Sequence, residues 1–315
     1  MSSNHTLLQR AALALGLPVS SIHRIAASAP HRYKIFYIQK RSGRGMRLIG
    51  QPAKEVKLIQ RWLIGTELAF LPVHRAATAY VTGSSIRENA RRHLGSRFLL
   101  KADFSNFFPS IKSRDVANHL LAHASGRYTE EEIELVVRIL CWHRRETNSL
   151  ELCVGAPSSP FLSNTMMFDF DTTISAYCEL KQIMYTRYAD DLAFSTNIPN
   201  QLTAVPNVLR TYLQSLASPR LALNEDKTVF TSKKFHRSIT GVVLASQGHL
   251  SLGRDKKRQI SAMVHRYTVR LLSNKEIAAL KGLLAFAQDV EPDFVGRLGR
   301  KYTEGVISSI QGFQP

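Results

Sequence analysis

Tyr188-Ala189-Asp190-Asp191 sets two adjacent carboxylates between two stretches that favour strands. The residues before it, from Ile183, and after it, as far as Thr196, are rich in β-branched and aromatic side chains, which are typical of strands. Asp favours turns, so the pattern predicts a hairpin with the two carboxylates at its turn. Two like charges side by side raise each other's pKa unless a cation neutralises them. Oxygen ligands of this kind suit Mg²⁺.

Another carboxylate occurs in a similar context far away in the sequence. Phe98–Asp103 predicts a buried strand that ends in a carboxylate, and Phe104–Pro109 follows it. One carboxylate at a strand end and a pair on a hairpin are what a two-metal phosphoryl-transfer site needs. The Asp190–Asp191 pair alone is more typical of a solvated turn that binds nothing, but Asp103 in its own context favours the metal site. We therefore predict that Asp103, Asp190 and Asp191 bind two Mg²⁺ ions.

Several blocks of the sequence resemble the reverse transcriptases, and within them the bacterial retron reverse transcriptases. The blocks occur in the family's order and cover the chain from about Tyr33 to Gly241. They are Met46–Ile49 with Pro52, Gln60 and Trp62, then Lys101–Ile111, Gly155–Asn164, Tyr188–Asp191 and Leu221–Thr228. Four or more ordered blocks are much more specific than any one of them.

Two further matches point to retrons in particular. Asn89-Ala90-Arg91-Arg92-His93 fits the retron signature Asn-Ala-x-x-His. Ile239-Thr240-Gly241 resembles the signature Val-Thr-Gly, although it departs at its first residue. Taken alone, the first also fits a histidine on a helix surface, and the second fits a turn glycine after a strand.

The resemblance implies an α+β chain with the right-hand polymerase fold. That fold has fingers, a palm made of an antiparallel sheet plus helices, and a helical thumb. The implied division is an N-terminal helical extension and fingers in residues 1–98, a palm in 99–252 and a helical thumb in 253–315. A helical fingers insertion is expected at about residues 113–150, within the palm.

The resemblance also implies an RNA-directed DNA polymerase that uses dNTPs. A retron enzyme would bind one structured non-coding RNA and extend a primer hydroxyl, the 2′-OH of a branching guanosine. Its product would be multicopy single-stranded DNA, made for anti-phage defence together with a separate effector protein. Alternatives are a diversity-generating or group II intron reverse transcriptase, and a catalytically inert RNA-binding scaffold.

Particular residues match the family's nucleotide-handling positions. Lys227 stands where the family has a lysine proposed to protonate the departing pyrophosphate, although a surface lysine at a strand end is equally typical. Phe108 stands where a bulky ring excludes the 2′-OH of a ribonucleotide. Val154 departs from the glutamine that many relatives carry before the glycine. The residues predicted to contact the nucleotide are Lys40, Arg47, Phe104, Phe108, Gly155, Ala156 and Pro157.

The chain is basic, with 42 Lys and Arg against 24 Asp and Glu, a net charge of +18. A polyanionic partner explains this excess, because basic side chains neutralise phosphates. Together, the retron signatures, the hairpin and the basic C-terminal helices predict the residues that contact RNA or DNA. These residues are Asn89, His93, Tyr188, Thr240, Gly241, Arg258, Arg266 and Arg270.

The composition also bears on where the protein works. Cys141, Cys153 and Cys178 are odd in number and lack Cys-x-x-Cys spacing, so we expect reduced thiols of a cytoplasmic protein and no zinc site. No apolar run approaches the ~18 residues that a membrane-spanning helix needs. Leu7–Leu15 is interrupted by polar residues and predicts an amphipathic helix, not a signal peptide.

Periodicity and turn residues give a coarse secondary structure. We expect strands at Tyr33–Gln39 and Met46–Gly50, joined by a basic turn at Arg41–Gly45, and a strand pair in Ile239–Leu252. The helices are expected at Ser2–Ala29, Ala53–Phe70, Asp115–Ala124, Glu130–Trp142, Ser159–Lys181, Lys256–Leu272, Asn274–Gln288 and Asp293–Gln311.

Overall fold

The computed structural model describes residues 5–40, 43 and 45–314. Its helices are α1 (Leu7–Leu15), α2 (Val19–Ser28), α3 (Lys54–Trp62), α4 (Ile86–Arg92), α5 (Phe107–Ser110), α6 (Ser113–His123), α7 (Glu130–Leu140), α8 (Ser158–Met166), α9 (Phe168–Leu180), α10 (Val205–Ser215), α11 (Arg254–Thr268), α12 (Asn274–Val290), α13 (Pro292–Tyr302) and α14 (Glu304–Gly312). Its strands are β1 (Tyr33–Gln39), β2 (Met46–Pro52), β3 (Phe98–Asp103), β4 (Trp142–Arg144), β5 (Ser149–Glu151), β6 (Met184–Tyr188), β7 (Asp191–Thr196), β8 (Val229–Ser232), β9 (Ser238–Ile239), β10 (Val242–Leu244) and β11 (Leu250–Ser251).

A four-stranded antiparallel sheet in the order β6-β7-β3-β8 forms the centre of the fold. The predicted hairpin is confirmed: β6 and β7 pair with Tyr188 opposite Asp191. Since β3 and β7 run in opposite directions, the last residue of β3 lies beside the first residue of β7. Asp103 is accordingly paired with Asp191. We call this four-stranded sheet the central sheet.

The interior has two large apolar clusters. The first packs the central sheet against the N-terminal and middle helices and includes Ile59, Leu100, Phe170 and Phe194. The second joins the small sheet of β9, β10 and β11 to the helices from α11 to α14. Residues 238–251 therefore share a core with the C-terminal helices. Burial of apolar side chains in each cluster is the main favourable contribution to folding.

Three of the predicted helices are broken in the structure. The segment Ser2–Ala29 contains α1 and α2, because Gly16 ends α1 in the left-handed region at φ 64°; residues 2–4 lie outside the described residues. Ser159–Lys181 is divided between α8 and α9 at Met167. Asp293–Gln311 is divided at Thr303, whose φ of 78° is incompatible with a continuous helix.

Other boundaries differ by less. Ala53–Phe70 is α-helical as far as Trp62 and continues as a π-helical turn over Leu63–Glu67. The helix predicted to reach Trp142 ends at Leu140, and Trp142 begins β4 instead. The strand pair expected in Ile239–Leu252 is a set of three short strands, β9 to β11. Of the predicted basic turn, Arg41, Ser42 and Arg44 lie outside the described residues.

The cysteines are buried and carry free thiols, as the sequence predicts. Burial raises the pKa of the Cys153 and Cys178 thiols to about 12, so both are protonated at neutral pH. Among the helices that the structure describes, none is long and apolar enough to cross a membrane.

Candidate active site

The two strands and the turn bring the three predicted carboxylates to one edge of the central sheet. Asp103 ends β3, and Asp191 begins β7 directly opposite it. Between the strands of the hairpin, Ala189 takes the left-handed conformation at φ 57° and Asp190 follows it. The backbone N–H of Phe104 donates to the carbonyl of Asp190 over 3.1 Å, which ties the turn to the end of β3. Residues far apart in the sequence thus meet here, as predicted.

The site holds more negative charge than its surroundings offset. Burial raises the pKa of Asp190, and the charge of Asp103 raises it further. The pKa of Asp191 is raised to about 7, first by loss of hydration, then by the charge of Asp190 and a hydrogen bond to Asp103. Lys227 and Arg47 oppose the shift at Asp190. A cation bound here would relieve the repulsion.

The carboxylates do not form a ready-made metal site. Within residues 5–40 and 45–314, no three His, Cys, Asp or Glu side chains are arranged to hold a metal ion. Asp103 is engaged by the ammonium group of Lys227 at 2.9 Å. The chemistry of the three carboxylates still fits a divalent cation, because the donors are carboxylate oxygens whose charge is poorly offset.

A cavity of about 740 Å³ opens beside the carboxylates and is lined by residues from both retron signatures. Its wall carries two buried oxygens without a hydrogen-bond partner in the described structure, Oδ1 of Asn89 and Oγ1 of Thr240. Unpaired buried polar atoms are costly, so these oxygens are candidates for contact with a bound molecule. The predicted residues that line the cavity are Asn89, Asp103, Tyr188, Asp191, Lys227, Thr240 and Gly241.

His93 does not face this cavity. Its side chain is fully buried, and its ring nitrogens lie 2.7 Å from Oγ of Ser195 and 2.8 Å from Oγ1 of Thr186. Burial lowers the pKa of His93 to about 3, so the ring is neutral. The prediction that His93 contacts RNA was wrong, because the ring instead links α4 to β6 and β7 of the central sheet.

Two predicted nucleotide contacts are also buried. Phe104 is packed in the core, with its ring 5.5 Å from Phe107 and 5.6 Å from Phe170. Ala156 is buried in a small cluster with Trp142. Neither side chain can reach a nucleotide, so these two predictions were wrong for the side chains. The sequence after Asp103 contains several aromatic residues, and the sequence alone does not show which of them points into the core.

Gly155 has a role that the sequence did not reveal. Its φ is +118°, and a Cβ there would lie 2.8 Å from the carbonyl oxygen of Gly50 and 2.9 Å from Cγ2 of Ile49. The N–H of Gly50 also donates to the carbonyl of Val154 over 2.9 Å. Glycine is therefore required because the loop is closely packed on β2. Pro157, two residues later, is half-buried.

The remaining predicted residues are accessible. Arg47 on β2 and Lys40 at the end of β1 are exposed, and Phe108 is half-buried beside Phe107 at 5.3 Å. Arg258, Arg266 and Arg270 are exposed on or next to α11. Of these three, Arg266 is engaged, by Glu276 at 3.2 Å and the carbonyl of Leu271 at 3.1 Å.

Sequence reasoning missed a buried charged pair behind the hairpin. Arg187 and Asp171 are both completely buried and are paired with each other. The available signal was a single arginine within the apolar strand Met184–Tyr188. A charge within a buried strand is unusual and indicates a specific partner.

Comparison with known proteins identifies the family. A family model described as reverse transcriptase (RNA-dependent DNA polymerase) matches residues 38–261. The retron Ec83 reverse transcriptase of Escherichia coli is 41% identical over 283 residues, covering 89% of this chain and 90% of that protein. The chain belongs to the retron reverse transcriptases. This retron reverse transcriptase is an RNA-directed DNA polymerase with the α+β right-hand polymerase fold.

Other retron enzymes resemble the chain over most of its length. The retron Ec86 reverse transcriptase of E. coli is 29% identical over 93% of this chain and 89% of that protein. The retron Mx65 reverse transcriptase of Myxococcus xanthus is 31% identical over 92% of this chain and 70% of that protein. These matches favour a retron enzyme over the diversity-generating, group II intron and inert-scaffold alternatives. Reverse transcriptases as a family use divalent metal ions.

Proposed function

We propose that Asp103, Asp190 and Asp191 bind two Mg²⁺ ions and form the catalytic centre of this polymerase. The observation that carries the proposal is the pairing of Asp103 with Asp191 across β3 and β7, with Asp190 in the adjoining turn. The raised pKa values of Asp190 and Asp191 support it, because they reflect negative charge that a cation would offset. When bound, the ions supply activation of the attacking primer hydroxyl and neutralise charge on the triphosphate.

The surrounding residues complete the proposed reaction. Lys227, whose ammonium group lies 2.9 Å from Asp103, would give a proton to the leaving pyrophosphate. Arg47, with Lys40, grips the triphosphate, for which the guanidinium fork is well suited. Phe108 lies under the sugar and excludes a 2′-OH. Most of the rate enhancement then comes from positioning and charge neutralisation.

We propose that the cavity wall and the C-terminal helices form the RNA interface. The unpartnered oxygens of Asn89 and Thr240 would accept hydrogen bonds from the RNA, and Tyr188 and Gly241 lie beside them. Arg258, Arg266 and Arg270 would contact phosphates. The experiment is a binding titration of copurified RNA at 50 and 200 mM salt, where about six to ten phosphate contacts lower the affinity by about 10³–10⁵. A flat salt dependence would overturn the interface.

We propose that the enzyme extends the 2′-OH of a branching guanosine in one structured non-coding RNA of the msr-msd type. The product is multicopy single-stranded DNA, which acts with a separate effector protein in anti-phage defence. Its support is the 41% identity with a retron enzyme over 89% of this chain.

The test of the product is the nucleic acid that copurifies with the protein. The wild-type protein should carry DNA joined to RNA through a 2′,5′ linkage that a debranching enzyme cleaves. The Asp103→Asn variant should carry the RNA alone. Unbranched DNA on the wild-type protein would contradict priming from the 2′-OH.

We propose the division into fingers (1–98), palm (99–252, with a fingers insertion at about 113–150) and thumb (253–315). The separate apolar cluster of the C-terminal helices supports a thumb, although β9 to β11 share that cluster. We also propose a cytoplasmic location, which the three buried free thiols support.

A further inference from the structure

A buried ion pair lies directly behind the hairpin that carries Asp190 and Asp191. Arg187 on β6 and Asp171 on α9 have no exposed side-chain surface. Nε of Arg187 donates to Oδ1 of Asp171 over 2.9 Å, and Nη2 donates to Oδ2 over 2.6 Å. The hydroxyl of Tyr185 donates to the same carboxylate over 2.7 Å. The pair is therefore bidentate, a geometry that gives a buried guanidinium two charge-assisted hydrogen bonds.

Arg187 also reaches forward to the turn. Its Nη1 donates to the carbonyl of Ala189 over 3.2 Å and to Oδ1 of Asn164 over 3.0 Å. Ala189 has φ 57°, a left-handed conformation that is unfavourable for alanine. Such a conformation persists only where the surroundings fix it. The hydrogen bond from Arg187 is a direct restraint on the residue that precedes Asp190.

The arginine is itself anchored on its other sides. Its backbone N–H donates to the carbonyl of Ala76 over 2.7 Å, and its carbonyl accepts from the N–H of Thr78 over 2.8 Å. The side-chain amide of Asn164 donates to the carbonyl of Ala79 over 2.8 Å. Through its guanidinium and its backbone, Arg187 thus links β6 to α8, α9 and the segment 76–79 behind the hairpin turn.

A buried ion pair is a poor way to gain stability. Removing two charges from water is costly, and apolar residues of similar volume often stabilise a protein as well or better. An apolar pair, however, has no donor for the carbonyl of Ala189. The ion pair therefore supplies what an apolar pair cannot, a fixed hydrogen-bond donor for the carbonyl of Ala189.

We propose that Arg187, oriented by Asp171, is a positioning residue that sets the hairpin turn so that Asp190 and Asp191 lie beside Asp103. It acts through the carbonyl of Ala189 and does not touch the substrate. The inference rests on the proposed catalytic role of the aspartates. If so, removing the Arg187 hydrogen bond to Ala189 should raise the Mg²⁺ concentration for half-maximal rate and lower the single-turnover rate. The affinity for RNA should change less.

The decisive variant replaces both charges, Arg187→Met with Asp171→Leu. This double variant avoids the unpaired buried charge that either single replacement would leave, although the Tyr185 hydroxyl and Oδ1 of Asn164 lose these partners. With the Ala189 carbonyl unrestrained, the single-turnover rate should fall by about tenfold or more, as small misplacements of catalytic groups do. The Mg²⁺ concentration for half-maximal rate should rise, and the affinity for RNA should stay near the wild-type value. If the ion pair contributed only to stability, the folded double variant would show the same Mg²⁺ dependence as the wild type.

A milder variant keeps the test independent of folding. Tyr185→Phe removes only the hydroxyl that orients Asp171, and it should raise the half-saturating Mg²⁺ concentration by a few-fold. Tyr212→Phe is the matched control, since its hydroxyl contacts Thr173 on α9 over 3.1 Å and lies outside the network. Wild-type rate and Mg²⁺ dependence in Tyr185→Phe, and in the double variant if it folds, would overturn the inference.

Different results would overturn the catalytic role of the aspartates and the positioning role of Arg187. If Asp190→Asn polymerises normally, the catalytic assignment is wrong whatever the Arg187 variants do. If Asp190→Asn is inactive while Tyr185→Phe and the folded double variant match the wild type, only the positioning role is wrong.

Discussion

The ammonium group of Lys227 donates a hydrogen bond to Oδ2 of Asp103 over 2.9 Å. The lysine therefore lies next to the carboxylate that ends β3, although the two residues are 124 positions apart. This contact places Lys227 beside the carboxylates proposed to bind metal, as the proposed proton-donor role requires. Its side chain is more than half exposed, so the ammonium group has room to move away from Asp103.

Lys227→Ala should reduce the single-turnover rate of nucleotide addition by about 10²–10⁴, the usual contribution of a general acid. The measurement is rapid-quench primer extension at saturating dNTP and Mg²⁺. Lys234→Ala, at an exposed lysine a few residues later, is the control and should match the wild type. An unchanged rate in Lys227→Ala would mean that Lys227 is a surface lysine with no part in the reaction.

Gly155→Ala should destabilise the protein and weaken dNTP use. The added Cβ would lie 2.8 Å from the carbonyl oxygen of Gly50, in a backbone conformation with φ +118°. Strain of this kind costs about 1–3 kcal/mol, and the displaced β2 carries Arg47. The measurements are the free energy of unfolding in urea and the KM for dNTP.

Gly83→Ala is the matched control for this prediction. Gly83 also has a positive φ, +79°, but a Cβ there would meet no atom within 4 Å. Gly155→Ala should therefore lose more stability than Gly83→Ala. Equal losses would show that the close approach to β2 contributes nothing.

Phe108→Ala should let ribonucleotides into the site. Phe108 is half-buried beside Phe107 at the start of α5, shortly after the end of β3. Loss of steric exclusion in a pocket changes selectivity by roughly 10–200-fold, measured here as the ratio of kcat/KM for dNTP and rNTP. Phe230→Ala, at an exposed phenylalanine on β8, is the control. If the ratio does not change, the ring does not lie under the sugar.

His93 should make stability depend on pH below neutrality. Burial lowers its pKa to about 3 in the folded state, against 6.5 in the unfolded chain. Between these values the unfolded state binds a proton that the folded state does not, so stability is complete above pH 6.5 and falls as the pH falls. Between pH 7 and 5.5 the loss is about 1 kcal/mol.

The comparison is with His93→Gln, which cannot take up that proton. Urea unfolding at the two pH values should show the extra loss in the wild type but not in the variant. Equal losses in both proteins would mean that His93 is not held neutral in the interior.

Part of this architecture follows directly from the sequence. The hairpin and the strand ending at Asp103 are local patterns, and antiparallel pairing then places Asp103 near Asp191. The fate of His93 was not predictable, because a helix pattern does not show which strand covers the helix. Thr303 ends a helix with φ 78° without any glycine or proline signal. The partners of Arg187 come from α8 and α9, which only the tertiary fold brings to β6.

The retron assignment rested on short signatures whose residues have different roles. Asn89 and Thr240 do line the cavity beside the carboxylates. His93, from the same signature as Asn89, is a buried link within the protein. The signatures therefore identified the family correctly, but they did not show which of their residues line the cavity.

The most direct test of the catalytic site is the purified Asp190→Asn variant, assayed for single-turnover DNA synthesis and for RNA affinity. The substitution removes one charge and preserves the shape of the side chain at the turn. Asp169→Asn, at an exposed carboxylate on α9, is the control. We predict that Asp190→Asn loses DNA synthesis and keeps nearly wild-type RNA affinity, while the control keeps both. Synthesis by purified Asp190→Asn at the wild-type rate would contradict the catalytic role of these carboxylates.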